Sequence, residues 1–191
     1  MAKTLPGYET ILLVPAVEVG GVPFMAYPDG LVDYEDPDLD CLNYWHGITK
    51  PSDENAAHGG NISCAILDDL TISLDDSETD DTKTICSKGN SSTLTFYNFS
   101  AQLNARRDED PTADGLFNLY YQLVRGADVP YFIVHRVRGQ KDSTEAFAAG
   151  DEVDIYYVHT DVPVASFADG EPIQVEETFI PRNVVNIKHT L

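Results

Sequence analysis

Residues 110–126 read DPTADGLFNLYYQLVRG. Leu116, Leu119, Tyr120 and Leu123 recur at i, i+3, i+4 and i+7, so the spacing predicts an amphipathic helix with one apolar face. Asp110 or Thr112 is placed to cap the first free amides, and Pro111 and Asp114 suit the first turn. Arg125 sits at the negative end, and Gly126 follows as a stop. No other segment has such convincing helical spacing. Runs rich in Thr, Val, Ile, Tyr and Phe flank it with period-two alternation, which predicts a β-sheet structure with one helix laid across it.

Working outward, Tyr8–Val14 (YETILLV) predicts a strand ended by Pro15. Residues 15–61 then combine five prolines and six glycines with Phe24, Tyr27, Tyr34, Tyr44 and Trp45. That density breaks helices and central strands, whereas the aromatics argue against disorder. The expectation is an extended arm or large loop that lies down on its own sheet or on a neighbouring subunit. In DLTISLDD, Leu70, Ile72 and Leu74 alternate with Thr71, Ser73 and Asp75 as a half-buried strand. The acidic run 75–84 follows, and TLTFYNFSAQL from Thr93 returns, so residues 75–93 form the tip of a long protruding hairpin. Beyond the helix, Tyr131–Val137, Glu152–Thr160, Ile173–Ile180 and Val184–Lys188 read as strands, with Pro181 marking a bend between the last two.

A length of 191 residues fits a single domain, 1–191. Twelve Lys plus Arg against 32 Asp plus Glu give a formal charge of −20, while 42% of residues are apolar. Such a chain still folds, since disorder needs low hydrophobicity as well as high charge. The balance opposes attachment to nucleic-acid phosphates, which Lys and Arg must neutralise, and to anionic membranes. No run of 18 apolar residues suggests a membrane span, and the first 14 residues lack a secretory leader. Cys41, Cys64 and Cys86 share no pairing motif and read as free thiols of a reducing cytoplasm.

Catalytic signatures are missing: there is no GxSxG elbow, no phosphate-binding loop ending in Gly-Lys-Ser/Thr and no HExxH. Cys41, His46, His58 and Cys64 lack chelating spacing for zinc. Asp36, Asp38 and Asp40 imitate a calcium loop, but Cys41 stands at its turn glycine and Gly47 at its bidentate glutamate. The expectation is no enzyme, no metal and no cofactor. Arg106, Arg107, Arg125, Arg136 and Arg138 bracket the helix either as partners of the many carboxylates or as subunit contacts.

The succession TADGLFNLYYQLVRG, PYFIVHRVRG and AFAAGDEVDIYYVHTDVPVASFADGEPIQVEETFIPRNV resembles the major tail tube protein of long-tailed (siphovirus-like) bacteriophages, actinobacteriophage type. The resemblance covers Ile62–Leu191. It implies a mainly β (α+β) fold: an antiparallel β-sandwich or barrel with one flanking α-helix and long hairpins. It further implies hexameric rings stacked into a tube, with double-stranded DNA passing through the lumen without specific binding. The other tail proteins (tape measure, tail tip, terminator) would be its partners, in a virion tail assembled in the host cytoplasm. On this reading the lumen-facing candidates are Thr71, Ser73, Asp75, Glu152, Asp154, Gln174 and Glu176, although alternation alone serves an outer solvent face equally well. The assembly-contact candidates are Tyr44, Trp45, Arg106, Arg107, Arg136 and Arg138. One alternative is a tail terminator or neck protein of the same fold. Another is a ligand-binding β-sandwich in which Tyr27, Tyr34, Tyr44 and Trp45 form an aromatic platform.

Overall fold

The computed structural model describes residues 9–67, 70–74, 78–80, 93–96, 98–138, 142–167 and 172–191; for 78–80, 93–96, 137, 138 and 183 it describes the backbone alone. In chain order the elements are β1 (Thr10–Val19), β2 (Val22–Tyr27), β3 (Gly30–Val32), α1 (Leu39–His46), β4 (Gly60–Asn61), β5 (Thr71–Leu74), β6 (Glu78–Asp80) and β7 (Thr93–Phe96). There follow β8 (Phe99–Arg106), α2 (Leu116–Val124), β9 (Pro130–Arg138), β10 (Glu152–His159), β11 (Val164–Ser166) and β12 (Gln174–Thr190). The fold is mainly antiparallel β with flanking helix. One sheet runs β3-β2-β1-β9-β10-β12-β8-β5, with β4 beside β1 and β11 beside β12, while β6 and β7 pair separately. The sheet is not closed: its path ends at β3 and β5.

The helix predicted from residue 110 begins at Leu116, because Gly115 stands at its N-cap in extended conformation with no side-chain cap. Asp110 instead binds the amide and hydroxyl of Thr112. Asp114 accepts from the amide and hydroxyl of Ser52, and those bonds hold its carboxyl below the usual range. The apolar stripe is as the spacing requires: Leu119, Tyr120 and Leu123 are buried.

Residues 15–61 differ from the expected arm or loop, for they hold the end of β1, the β2–β3 hairpin and a second helix. Strand β1 does not stop at Pro15. It pairs with β9 through Pro15↔Tyr131, while on its other side β4 ends at Leu13 and β2 begins at Ala16. Pro15 thus falls in the gap between two ladders, where a missing N–H is least felt. Gly20 and Gly21, with φ of 63° and 83°, make the two-residue turn of positive φ that joins β1 to β2. Helix α1 is capped by Asp38, which accepts from the amide of Asp40, and it buries Cys41, Leu42, Trp45 and His46. The two strands expected around Pro181 are one, because β12 leaves β8 at Phe179 and absorbs its irregularities as shifts in register against β10.

Successive residues of a strand point to opposite faces, and the centre of the sheet is covered on both. On one face, the Tyr131 hydroxyl donates to the Leu123 carbonyl of α2 at 3.3 Å. On the other, Phe132 stacks on Tyr34 with ring centroids 5.7 Å apart. Arg136 shares that second face and lies over the Phe147 ring at 4.8 Å, which in turn meets His46 of α1 edge-on. Among the described residues no helix is long and apolar enough to cross a membrane.

Candidate functional site: an open polar sheet face

Beyond the covered centre, β8 and the first half of β12 keep one face buried and leave the other open, and the largely exposed β5 and β11 extend that open face on either side. Strand β8 alternates without exception: Phe99, Ala101, Leu103 and Ala105 are buried, whereas Ser100, Gln102, Asn104 and Arg106 are half-buried or exposed. In β12, Val175, Glu177 and Phe179 are buried and Gln174, Glu176 and Thr178 are exposed. Directly opposed residues of antiparallel strands share a face, so the ladders assemble the open surface row by row. Ser166, Gln174 and Arg106 form one row, and Val164, Glu176 and Asn104 the next. Thr178, Gln102 and Thr71 form the third, and Ser100 with Ser73 the last.

Hydroxyls and amides dominate this face. Gln102 Nε2 donates to Glu176 Oε1 at 2.6 Å, and Ser73 and Ser100 place their hydroxyl oxygens 3.2 Å apart. Across these rows the charges are one carboxylate, Glu176, and one guanidinium, Arg106. Thr71, Ser73, Gln174 and Glu176, four of the seven lumen candidates, are therefore gathered on one surface. Glu152 and Asp154 are not among them: His159 opposes Ile180, whose alternation joins it to Gln174 and Glu176, so Glu152 and Asp154 turn to the opposite face. Asp154 has a local task there, accepting from the Lys188 amide at 2.7 Å where Lys188 adopts a φ of 55°. Asp75 lies outside the described residues. Ser100, Gln102, Asn104 and Thr178 complete the surface; the alternation of β8 and β12 could have found them had it been followed through Arg106.

Two assembly candidates are interior to the chain. Arg136 is 1% exposed, and its guanidinium donates to Thr10 Oγ1 and to the carbonyls of Asp142, Glu145 and Ala146, with Asp151 3.5 Å away. Trp45 is 3% exposed, and its indole N–H donates to the Ala26 carbonyl. Both side chains place donors on partners inside the fold, and Arg136 Nε alone has no partner among the described residues. Tyr44 is half-buried, accepts from Asn55 and meets Trp45 and Tyr27 edge-on. With Tyr34 stacked on Phe132, these aromatics pack on one another and present no shared platform. Arg107 caps the Tyr121 ring at 3.9 Å, Arg106 is exposed on the open face, and the Arg138 side chain lies outside the described residues.

Beneath the open face lies a feature the sequence did not signal. Glu177 is 0% exposed; one carboxyl oxygen accepts from the Asp161 amide at 2.8 Å, and the other has no partner among the described residues. Burial, with a smaller push from Asp161, moves its pKa up to about 8, against the opposing pull of that amide. Among the described residues no three of His, Cys, Asp and Glu converge on a possible metal.

The chain thus presents an antiparallel sheet with an unclosed path and one exposed polar face. A family model described as phage tail tube protein matches residues 42–189, and the chain belongs to that family. It is a structural subunit of a phage tail tube, located in the virion tail, and not an enzyme. As a tail tube protein it assembles into a tube with other phage tail proteins. Comparison with curated proteins gives no match.

Proposed function

We propose that the chain acts as one tail-tube-like domain, six copies of which close into a ring, and that the rings stack into the tube through which viral DNA leaves. The open face of β5, β8, β12 and β11 lines the lumen, with Thr71, Ser73, Gln174 and Glu176 toward the DNA. The observation that carries this reading is the union of that face with the edge of β5, where the path of the sheet ends among the described residues. The backbone amides and carbonyls of an end strand can pair with an identical neighbour, and a ring of copies joined in this way would leave no edge.

The surface suits passage better than attachment. Holding DNA requires several cations to displace counterions from its phosphates, and the rows of this face offer one guanidinium offset by one carboxylate. Six copies at −20 each carry about −120 per ring if fully ionised, so the field around the channel is acidic and repels the phosphate backbone. DNA slides on hydroxyls and amides inside an anionic shell. The tape measure, tail tip and terminator proteins are the proposed partners, and the host cytoplasm the place of assembly. Electron microscopy of the purified protein, alone or with tail-tip partners, tests the proposal: six-fold rings or tubes are expected, and persistent monomers under all assembly conditions contradict it.

A further inference from the structure

In a chain with 12 Lys plus Arg against 32 Asp plus Glu, each cation has carboxylates to spare, and Arg136 and Arg182 have taken Asp151 and Asp128. Arg107 and Arg125 are exceptions: among the described residues neither guanidinium has a carboxylate or hydrogen-bond partner. Both line one cavity of about 600 Å³ against α2, together with Ser52, Thr112, Asp114 and Tyr121. The one carboxylate on its wall, Asp114, already accepts from the amide and hydroxyl of Ser52. Asp108 and Glu109, which follow Arg107, do not line it. Arg107 is seated on the Tyr121 ring, 3.9 Å from its centre, a contact that orients the guanidinium and consumes none of its donors. Two guanidiniums with unused donors in one cavity fit carboxylates.

The complementary surface lies on the same chain. Residues 29–40 (DGLVDYEDPDLD) hold six carboxylates and no Lys or Arg, and all six are exposed. None is in an ion pair among the described residues. The backbone there is tied down: Tyr34 stacks on Phe132, and Asn186 donates to the carbonyls of Tyr34 and Glu35. Asp33 and Asp38 accept from the amides of Glu35 and Asp40, which leaves Glu35 and Asp36 between them with carboxylates that no backbone amide holds.

We infer that Glu35 and Asp36 of one copy dock on Arg107 and Arg125 of another copy. The inference rests on the tube-forming reading and names a contact within it. Tyr34 lies on the Phe132 face of β9 and α2 on the Tyr131 face, so the two patches occupy opposite faces and their union joins unlike surfaces. Such a contact propagates into a ring or stack, whereas a surface that met only its own counterpart would stop at a dimer. It also sets opposite charges together at each joint, where subunits of charge −20 otherwise repel one another.

Charge reversal on both sides tests the contact. One protein carries Arg107→Glu and Arg125→Glu, a second carries Glu35→Lys and Asp36→Lys, and a third carries all four, which restores the parent's formal charge. Urea unfolding first shows that each folds as the parent does; should Arg107→Glu unfold the chain, Arg125→Glu alone takes its place. By light scattering the first two proteins should each need about tenfold more protein than the parent to assemble, the second despite its lower net charge. The third, and an equal mixture of the first two, should assemble within about threefold of the parent's concentration. Assembly of either of the first two at the parent's concentration would overturn the contact and leave the tube reading standing. Loss in both without recovery in the third or the mixture would also overturn it, since the two patches would then meet different partners. Monomers in the parent protein would remove both the contact and the reading beneath it.

Discussion

The two halves of the sheet make opposite use of similar sequence. In β9, Tyr131 through Arg136 are all buried, with α2 on one side and Tyr34 and Phe147 on the other. In β8 every second residue is buried and the residues between face outward as hydroxyl, amide or guanidinium. Strand β12 belongs to both halves, pairing with β8 through Phe179 and with β10 from Ile180. The strand β9 is covered on both faces within one chain, while the half that ends at β5 presents a face that no described residue covers. Stability should therefore reside in the first half and assembly in the second.

Removing a side chain from the half around β9 gives the largest effect. Arg136→Ala leaves Asp151 and several carbonyls without their buried donor, and a loss of about 3–5 kcal/mol is expected. Urea unfolding of the isolated subunit measures it; a loss below about 1 kcal/mol, the ordinary size of a surface change, would erase the contrast. Glu177 sits under the boundary of the two halves and gives a smaller, pH-dependent effect. Its folded pKa of about 8 lies above the 4.5 of a free glutamate, so between those values the folded chain keeps a proton that the unfolded chain has lost. Stability should fall as pH rises through that window, by at most about 1.4 kcal/mol per pH unit, and level off above it. Glu177→Gln should flatten this slope in melts at pH 5 and pH 8; an unchanged slope would assign the pH dependence to other groups.

The smallest effect on folding belongs to the open face. Thr178→Ala and Ser100→Ala should each change subunit stability by no more than about 0.5 kcal/mol, because neither side chain supports the core. If these residues face the channel as proposed, placing Lys at Thr71 or Thr178 should likewise spare the fold but slow DNA release from tails built with the variant, since it adds a phosphate-binding cation to every copy. Release measured by the uptake of a DNA dye checks this, and an unchanged rate would remove these residues from the DNA path.

What the sequence disclosed followed periodicity. The stripe of Leu119, Tyr120 and Leu123 and the alternation of Thr71 and Ser73 with Ile72 carried enough signal to place a helix and a half-open sheet. Boundaries and partners did not follow from periodicity. Gly115, and not Asp110 or Thr112, opens α2, because Asp110 is engaged with Thr112 and Asp114 with Ser52, 62 residues away. Helix α1 was hidden by its eight-residue length and by the surrounding Pro and Gly, although Asp38 before Cys41, Leu42 and Trp45 was a legible cap and stripe. Alternation put Glu152 and Asp154 with the other polar candidates, yet only strand register could show that they face the other way. The interior position of Arg136 was likewise beyond reach, since it depends on a loop at 142–147 folding back over β9.

A density map of the assembled tube by electron cryomicroscopy tests the central claim most directly. The account predicts six-fold symmetry, with Thr71, Ser73, Gln174 and Glu176 on the inner wall and the edge of β5 hydrogen-bonded to a neighbouring copy. A map with these four residues on the outer surface, or with the β5 edge still open to solvent, would contradict it.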